Sequence, residues 1–448
     1  MLNLNVEIPS PKKFFSIDHK LITINILSFL LNTSSSLLAP YYPTIAARYN
    51  LSNALIGLVF TSHPIGCFFF SLILTKTLAS WGRKNLMIIG VLLHLAGNSI
   101  FGSLYYFHGY TEFLSVSFFG RFVQGLGFAA FTTASLAIIP HIYEDEEEKI
   151  EAYVEVSSSL GVMMGPLVGS FFYAVGGYQT PFFCLAGLEL FFMLFLWKFV
   201  ENDRSVKLRD KTHRKVSIKR VFWSREGVFG FLIVSFAVCS YNFMDPSLSY
   251  RLALYQVSPS LFGVFFTLST LTYIISMFII DKFSGEVDKR VWMSLGVLII
   301  GLAYYFLISK ELWGLSYGLI VLGLGSALVL IPSLQQFRAM AFKIYPEIAE
   351  RVGVNDMTSG IFGSAAAVGE LLGPIVGGVL VDQLGFIDAV KWYGIGLFVF
   401  FAFYLYVGDS LIAFLSVLLD NEEKKIEGVV ETKVNFSARR FTVFRDEK

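Results

Sequence analysis

Four carboxylates stand where a carboxylate is expensive. Glu155, Glu189, Asp245 and Glu370 each fall inside a run of apolar residues long enough to cross a bilayer, and Arg121 lies in another, within Arg121-Phe122-Val123-Gln124-Gly125-Leu126-Gly127. A charge at bilayer depth is kept where it meets a partner or a water-filled cavity, so such residues mark ion and proton pathways. Burial disfavours the ionised form of a carboxyl and a neighbouring cation restores it. A buried acid can therefore hold a proton or a cation in turn, and exchange of one for the other is the chemistry these residues offer. Asp245 is the strongest candidate because Pro246 follows it, and interrupted helices line binding cavities; the blander reading is an acid that caps the helix break. Glu155, ten residues before Gly165-Pro166, and Glu370, near the middle of its span, are further candidates for substrate binding or proton coupling. Arg121 joins them, with no partner visible in the sequence; its competing reading is a residue that snorkels to the outer end of its helix. Glu189 reads as a packing or lipid-interface acid, and His63, His94 and His108 as isolated.

Such residues need membrane spans to hold them. Of the 448 residues, 55% are hydrophobic and only 15% charged, against roughly 25% charged in soluble domains. Measured against the ~20 apolar residues of a span, twelve runs qualify: 21–42, 54–77, 86–107, 113–140, 151–175, 181–200, 228–250, 260–281, 291–309, 312–336, 358–381 and 392–419. The expected fold is an all-α membrane protein of twelve transmembrane helices in two six-helix bundles. Its parts are an N-terminal cytoplasmic segment (1–20), a first bundle (21–200), a basic loop (201–227), a second bundle (228–419) and a cytoplasmic tail (420–448). The segment Glu201–Arg225 carries nine Lys/Arg against three Asp/Glu, which places it and both termini on the cytoplasmic side. The first nineteen residues are polar and do not resemble a cleaved signal peptide.

The two halves repeat one another. Gly161, Gly165, Pro166 and Gly169 recur 208 residues later as Gly369, Gly373, Pro374 and Gly377, and Gly177 recurs as Gly385. At an offset of 206, Pro40, Tyr49, Ser52, Leu55, Gly57, Phe60 and Thr61 match Pro246, Tyr255, Ser258, Leu261, Gly263, Phe266 and Thr267. Parallel repeats in an apolar chain are the mark of a two-bundle transporter with its substrate path between the bundles. Glycines at this spacing let helices approach closely and the proline permits a bend, so the motif reads as a conformational hinge; a single copy would read as ordinary small-residue packing.

Other classes find little support. No metal-ligand spacing, phosphate-cradling loop or nucleophile constellation occurs, so an enzyme, a cofactor, a metal and a nucleic-acid partner are not expected. Cys67, Cys184 and Cys239 lie in apolar runs and do not suggest disulfides. The sequon at Asn50-Leu51-Ser52 sits in a short loop and reads as unmodified. The acidic run Glu144–Glu148 reads as a solvated connector.

These patterns resemble the major facilitator superfamily over about residues 20–419. The fourth-span motif at Arg121, Gly125 and Gly127 and the fifth-span motif at Gly161, Gly165, Pro166 and Gly169 are similar to its signatures, the latter to those of proton-coupled antiporters. Its cytoplasmic loop motif survives in part as Gly82-Arg83-Lys84, with Ala79 in place of the usual aspartate, and as Asp281-Lys282 in the second half. The stretches Phe243–Ser249, Phe262–Phe266, Gly177–Phe182 and Gly373–Gly378 are similar to the vesicular amine transporter family (solute carrier family 18), above all its polyamine branch. Gly363 and Asn32 stand where the monoamine branch carries acids, and Glu155 occupies a position that is acidic in the polyamine branch. The resemblance implies a monomeric carrier, in a vesicle or plasma membrane, that exchanges protons for an organic cation such as a polyamine or monoamine. A broad drug/proton antiporter is the alternative, and a non-transporting receptor or scaffold of the same fold a third.

Overall fold

In a hydrocarbon solvent a backbone amide has no water to bond, so an apolar run closes its own hydrogen bonds as a helix. The computed structural model describes residues 18–143, 147–200, 218–283, 288–345 and 351–407, and within them the regular structure is helical throughout. In chain order the helices are α1 (His19–Ser36), α2 (Tyr42–Ala46), α3 (Asn53–Trp81), α4 (Arg83–Ser103), α5 (Tyr110–Ile142), α6 (Glu147–Gly176), α7 (Gln179–Phe199), α8 (Ile218–Phe222), α9 (Arg225–Asn242), α10 (Leu248–Leu254), α11 (Phe262–Phe283), α12 (Lys289–Leu307), α13 (Leu312–Ile344), α14 (Arg351–Leu384) and α15 (Phe386–Val407). Ten of the described helices are long and apolar enough to cross a membrane. The first and seventh expected spans are covered instead by α1 and α9, of 18 residues each, followed by the short α2 and α10. Helix starts are set by side-chain caps. Asp18 accepts from the amides of Lys20 and Leu21 at the start of α1, and Asp288 from that of Arg290 at the start of α12.

The chain forms two compact units. The first holds residues up to Leu38 and Ser62–Arg209; the second holds Ala39–Thr61 and the chain from Asp210. Within the first, α1 packs on α6 and α7, and α4 on α5 and α7. Within the second, α9 packs on α14, α12 on α13 and α15, and α11 on α13. The pairs α1–α6, α4–α5 and α4–α7 thus have counterparts in α9–α14, α12–α13 and α12–α15. Backbone detail follows the same repeat. Gly177 and Gly385 end α6 and α14 with φ of +75° and +78°, a conformation that costs a side-chain-bearing residue and that glycine adopts freely. Their amides return to Tyr173 O and Val381 O at 2.8 and 2.9 Å.

Candidate functional site

The first unit encloses a ring of polar side chains contributed by five helices. His94 and Asn98 are one turn apart on α4 and Arg121 and Gln124 one turn apart on α5, so each pair shares a helix face. Glu189 comes from α7, Ser34 and Ser35 from α1, and His63 from the part of α3 within this unit. Glu189 and His94 have no exposed side-chain surface, and His94 Nδ1 lies 3.0 Å from Glu189 Oε1. The same carboxylate accepts from Ser34 Oγ at 2.6 Å and from Asn98 Nδ2 at 2.9 Å. Gln124 Nε2 donates to Asn98 Oδ1 at 2.7 Å, and the Arg121 guanidinium donates to Gln124 Oε1 and, at 3.1 Å, to the carbonyl of Ser35. Arg121 and Glu189 are therefore joined by two amides, each accepting on its cation side and donating on its anion side. That polarity fixes both amide orientations and fits an ionised Glu189.

Two sequence expectations are corrected here. Of the two readings of Glu189, the lipid interface is excluded, because the residue is fully buried and bonded to three side chains within the unit. His94 and His63 are not isolated: their Nε2 atoms lie 3.4 and 3.5 Å from Ser35 Oγ. Arg121 is buried rather than snorkelling, and Gln124 and the Ser35 carbonyl are among its partners. A signal for the ring was present in the sequence as the one-turn spacing of His94 and Asn98 within an apolar helix, but nothing linear connects α4 to Glu189.

The glycine motif packs α6 against α1. A methyl group at Gly161 would meet the Phe29 carbonyl and Asn32 Cβ, and one at Gly165 the Ser36 hydroxyl and the Thr33 carbonyl. Pro166 and Gly169 are buried in the same helix, which runs through the proline without ending. In the second unit Gly369 abuts Ser235 O and Val238, Gly373 abuts Cys239 O and Asn242, and Gly377 abuts the Phe243 carbonyl, with Pro374 again inside the helix. The residues met by Gly161 and Gly369, and by Gly165 and Gly373, are themselves related by the 206-residue offset, so the close approach is built twice.

In the second unit the chain does break at the expected place. Helix α9 ends at Asn242, residues 243–247 form turns, and α10 starts at Leu248. Asp245 lies half-buried within this break. Tyrosines gather at the end of α9 that precedes the break: Tyr304 Oη donates to the Ser240 carbonyl at 2.8 Å, Tyr393 Oη lies 3.1 Å from Ser240 Oγ, and Tyr241 bonds Thr270. Glu155 and Glu370 are both exposed on their helices. At the loop motif before α4, Gly82 precedes the helix, Arg83 is its first residue, and Lys84 Nζ donates to Trp197 O at 2.7 Å. Asp281 and Lys282 lie in the last turn of α11, and their side chains fall outside the described residues, as do Glu144 and most of the basic loop. The same unit carries a further acid not singled out in the sequence: Asp382, near the end of α14, accepts from the amides of Asn53 and Ala54, both at 2.8 Å, and so caps α3.

Comparison with known proteins agrees with this architecture. The Major Facilitator Superfamily profile matches residues 24–254 and again 230–447. The mouse protein named MFS-type transporter SLC18B1 is 28% identical over 80% of this chain and 79% of its own length. The bovine synaptic vesicular amine transporter is 24% identical over 59% of this chain and 50% of its own. Among solved structures, a bacterial homologue of the human lysosomal transporter Spinster, inward-facing and unoccupied, superposes with a TM-score of 0.68 at 14% identity, covering 90% of this chain and 99% of that one; at that identity the likeness concerns the fold alone.

Proposed function

From the premise that the chain belongs to the major facilitator superfamily, and so is a multi-pass membrane transporter rather than an enzyme, we propose that it exchanges protons for an organic cation such as a polyamine or monoamine by alternating access. Asp245 carries the reading. A half-buried carboxylate lies at a helix break, the kind of place where interrupted helices line binding cavities and an ionised acid attracts a cation. Protonated, it releases an amine; ionised, it attracts one, so proton and amine occupy it in turn as the carrier changes state. The similarity to a synaptic vesicular amine transporter supports an amine as substrate.

The halves 21–200 and 228–419 are the bodies that move, with Gly165-Pro166 and Gly373-Pro374 as the close contacts about which α6 and α14 bend. Both termini face the cytoplasm, and an acidic vesicle lumen or the cell exterior supplies the protons. Reconstitution into liposomes with an imposed pH gradient, and uptake of spermine, spermidine, serotonin and hydrophobic dyes, tests the reading. Polyamine uptake supports it; uptake of lipophilic dyes alone makes the chain a drug/proton antiporter, and no uptake makes it a receptor or scaffold. Asp245→Asn is expected to abolish gradient-driven uptake at matched expression while Asp245→Glu retains part of it. A wild-type rate in Asp245→Asn would return the residue to a structural role and move coupling to Glu155 or Glu370.

A further inference from the structure

Hydrogen-atom accounting around Ser35 leaves room for one more proton than the ring needs. Ser35 Oγ lies 2.9 Å from the Leu31 carbonyl, to which only its own O–H can donate. With its hydrogen committed there, the oxygen can only accept, and the imidazole Nε2 atoms of His94 and His63 face it at 3.4 and 3.5 Å, so whichever carries a hydrogen can donate to it. On its other side His94 Nδ1 faces both carboxylate oxygens of Glu189, at 3.0 and 3.1 Å. Two acceptors on two nitrogens is the environment of an imidazolium. When the proton is absent, the Ser35 hydroxyl turns from Leu31 O to donate to the bare Nε2, so both protonation states have a complete set of partners.

The charges agree with this account. Arg121 and Glu189 balance one another through Gln124 and Asn98, which leaves the ring neutral before His94 is protonated and singly positive after. Other ionisable groups around it are few: α3 contributes His63 and, 3.9 Å from its Nδ1, Cys67 Sγ, α5 contributes Arg121, and Glu155 of α6 is exposed. A single positive charge in a poorly screened interior disfavours a second cation, and that antagonism is what an exchanger of protons for cations requires.

We propose that His94, held between Glu189 and Ser35, is a proton-binding site of the first unit, and that the Ser35 hydroxyl passes its proton to and from His63. The transfer is balanced at every atom. With His63 in the tautomer that carries its hydrogen on Nδ1 and the Ser35 hydroxyl turned from Leu31 O toward the bare Nε2 of His63, Nε2–H of His94 gives its proton to Ser35 Oγ as the hydroxyl gives its own to His63 Nε2, and the charge passes from one imidazole to the other with no net change. Half-buried His63 is the outer member of the pair. Because Ser35 and Ser34 sit on α1 beside Thr33 and Ser36, which pack on Gly165, the proton state of His94 is read by the helix that the glycine motif grips. The inference rests on the proton-coupled reading of the chain and assigns its proton a second, separate site from Asp245.

The test has a binding arm and a transport arm. The full-length protein contains six histidines, few enough to assign by substitution in NMR spectra of isotope-labelled histidine. The His94 signal is expected to change with pH, and Glu189→Gln is expected to alter that change while leaving the signal of exposed His108 as it is. In liposomes, His94→Gln is expected to lower gradient-driven spermine uptake at least ~10-fold and to flatten its pH profile, whereas Ser35→Ala, which removes no charge, slows uptake but preserves the His94 titration. A His94 signal that does not change with pH overturns the site, as does a wild-type pH profile in His94→Gln. If the wild type takes up no amine along a proton gradient, the proposed exchange fails, and the titration alone decides whether His94 binds a proton.

Discussion

The two units share a skeleton and differ in what they bury inside it. Ser34, Asn98 and Glu189 of the first correspond in helix pairing and near-constant offset to Ser240, Tyr304 and Tyr393 of the second. In the first unit the serine donates to a carboxylate that also meets a histidine and an amide. In the second the serine meets a tyrosine hydroxyl at 3.1 Å, and the Tyr304 and Tyr393 rings are in contact with centroids 4.9 Å apart. One position is built for a charge and the other for aromatic packing. Close helix contacts are kept in both halves, while around these matched positions the first buries a carboxylate and a histidine and the second packs two tyrosines.

The contrast can be broken most directly by truncating the matched residues. Glu189→Ala leaves His94, Asn98 and Ser34 without their acceptor and is expected to cost about 3–5 kcal/mol, whereas Tyr393→Phe, which removes one neutral hydroxyl, is expected to cost about 0.6 kcal/mol. Thermal unfolding in detergent measures both, and equal losses would remove the asymmetry. The shared half of the comparison is sharpened by Gly165→Leu and Gly373→Leu. Each side chain would enter the backbone of the facing helix, so both variants should reach the membrane yet exchange about tenfold more slowly, a barrier rise of about 1.4 kcal/mol. A defect in one variant alone would show that only one copy of the motif moves.

The smallest effect lies outside the core. Asp288 caps α12, and Arg290 Nη2 lies 2.7 Å from its Oδ2. Burial would raise its carboxyl, but the donors of Arg290 overcome that and hold it below the usual range. Because the folded value is the lower one, this stabilisation is present above the unfolded value of about 3.9 and is lost as pH falls through the folded one. Asp288→Ala should therefore cost about 1 kcal/mol near neutrality, with the gap to wild type closing in acid; unfolding measured at both pH values checks it.

Much of the fold is legible in order along the chain. The apolar runs set where helices form because the bilayer leaves the backbone no other partner, and the paired glycines at 161, 165, 369 and 373 set which helices touch because only a missing side chain permits that distance. Pro246 marks the break at which Asp245 sits, since it has no amide to continue the helix. All of these are local or periodic properties, written in residue type and spacing.

The polar ring is of another kind. Ser35, His63, His94, Arg121 and Glu189 come from five helices, and no spacing along the chain links one helix's polar residues to another's. Taken one at a time, Glu189 reads as a packing or lipid-interface acid and His94 as isolated, because a hydrogen bond depends on distances of about 3 Å and those are fixed only when α1, α3, α4, α5 and α7 are packed together. Sequence determined which groups could carry charge across this membrane protein. Tertiary structure decided which of them meet, since the partner that makes a buried charge tolerable arrives from another part of the chain.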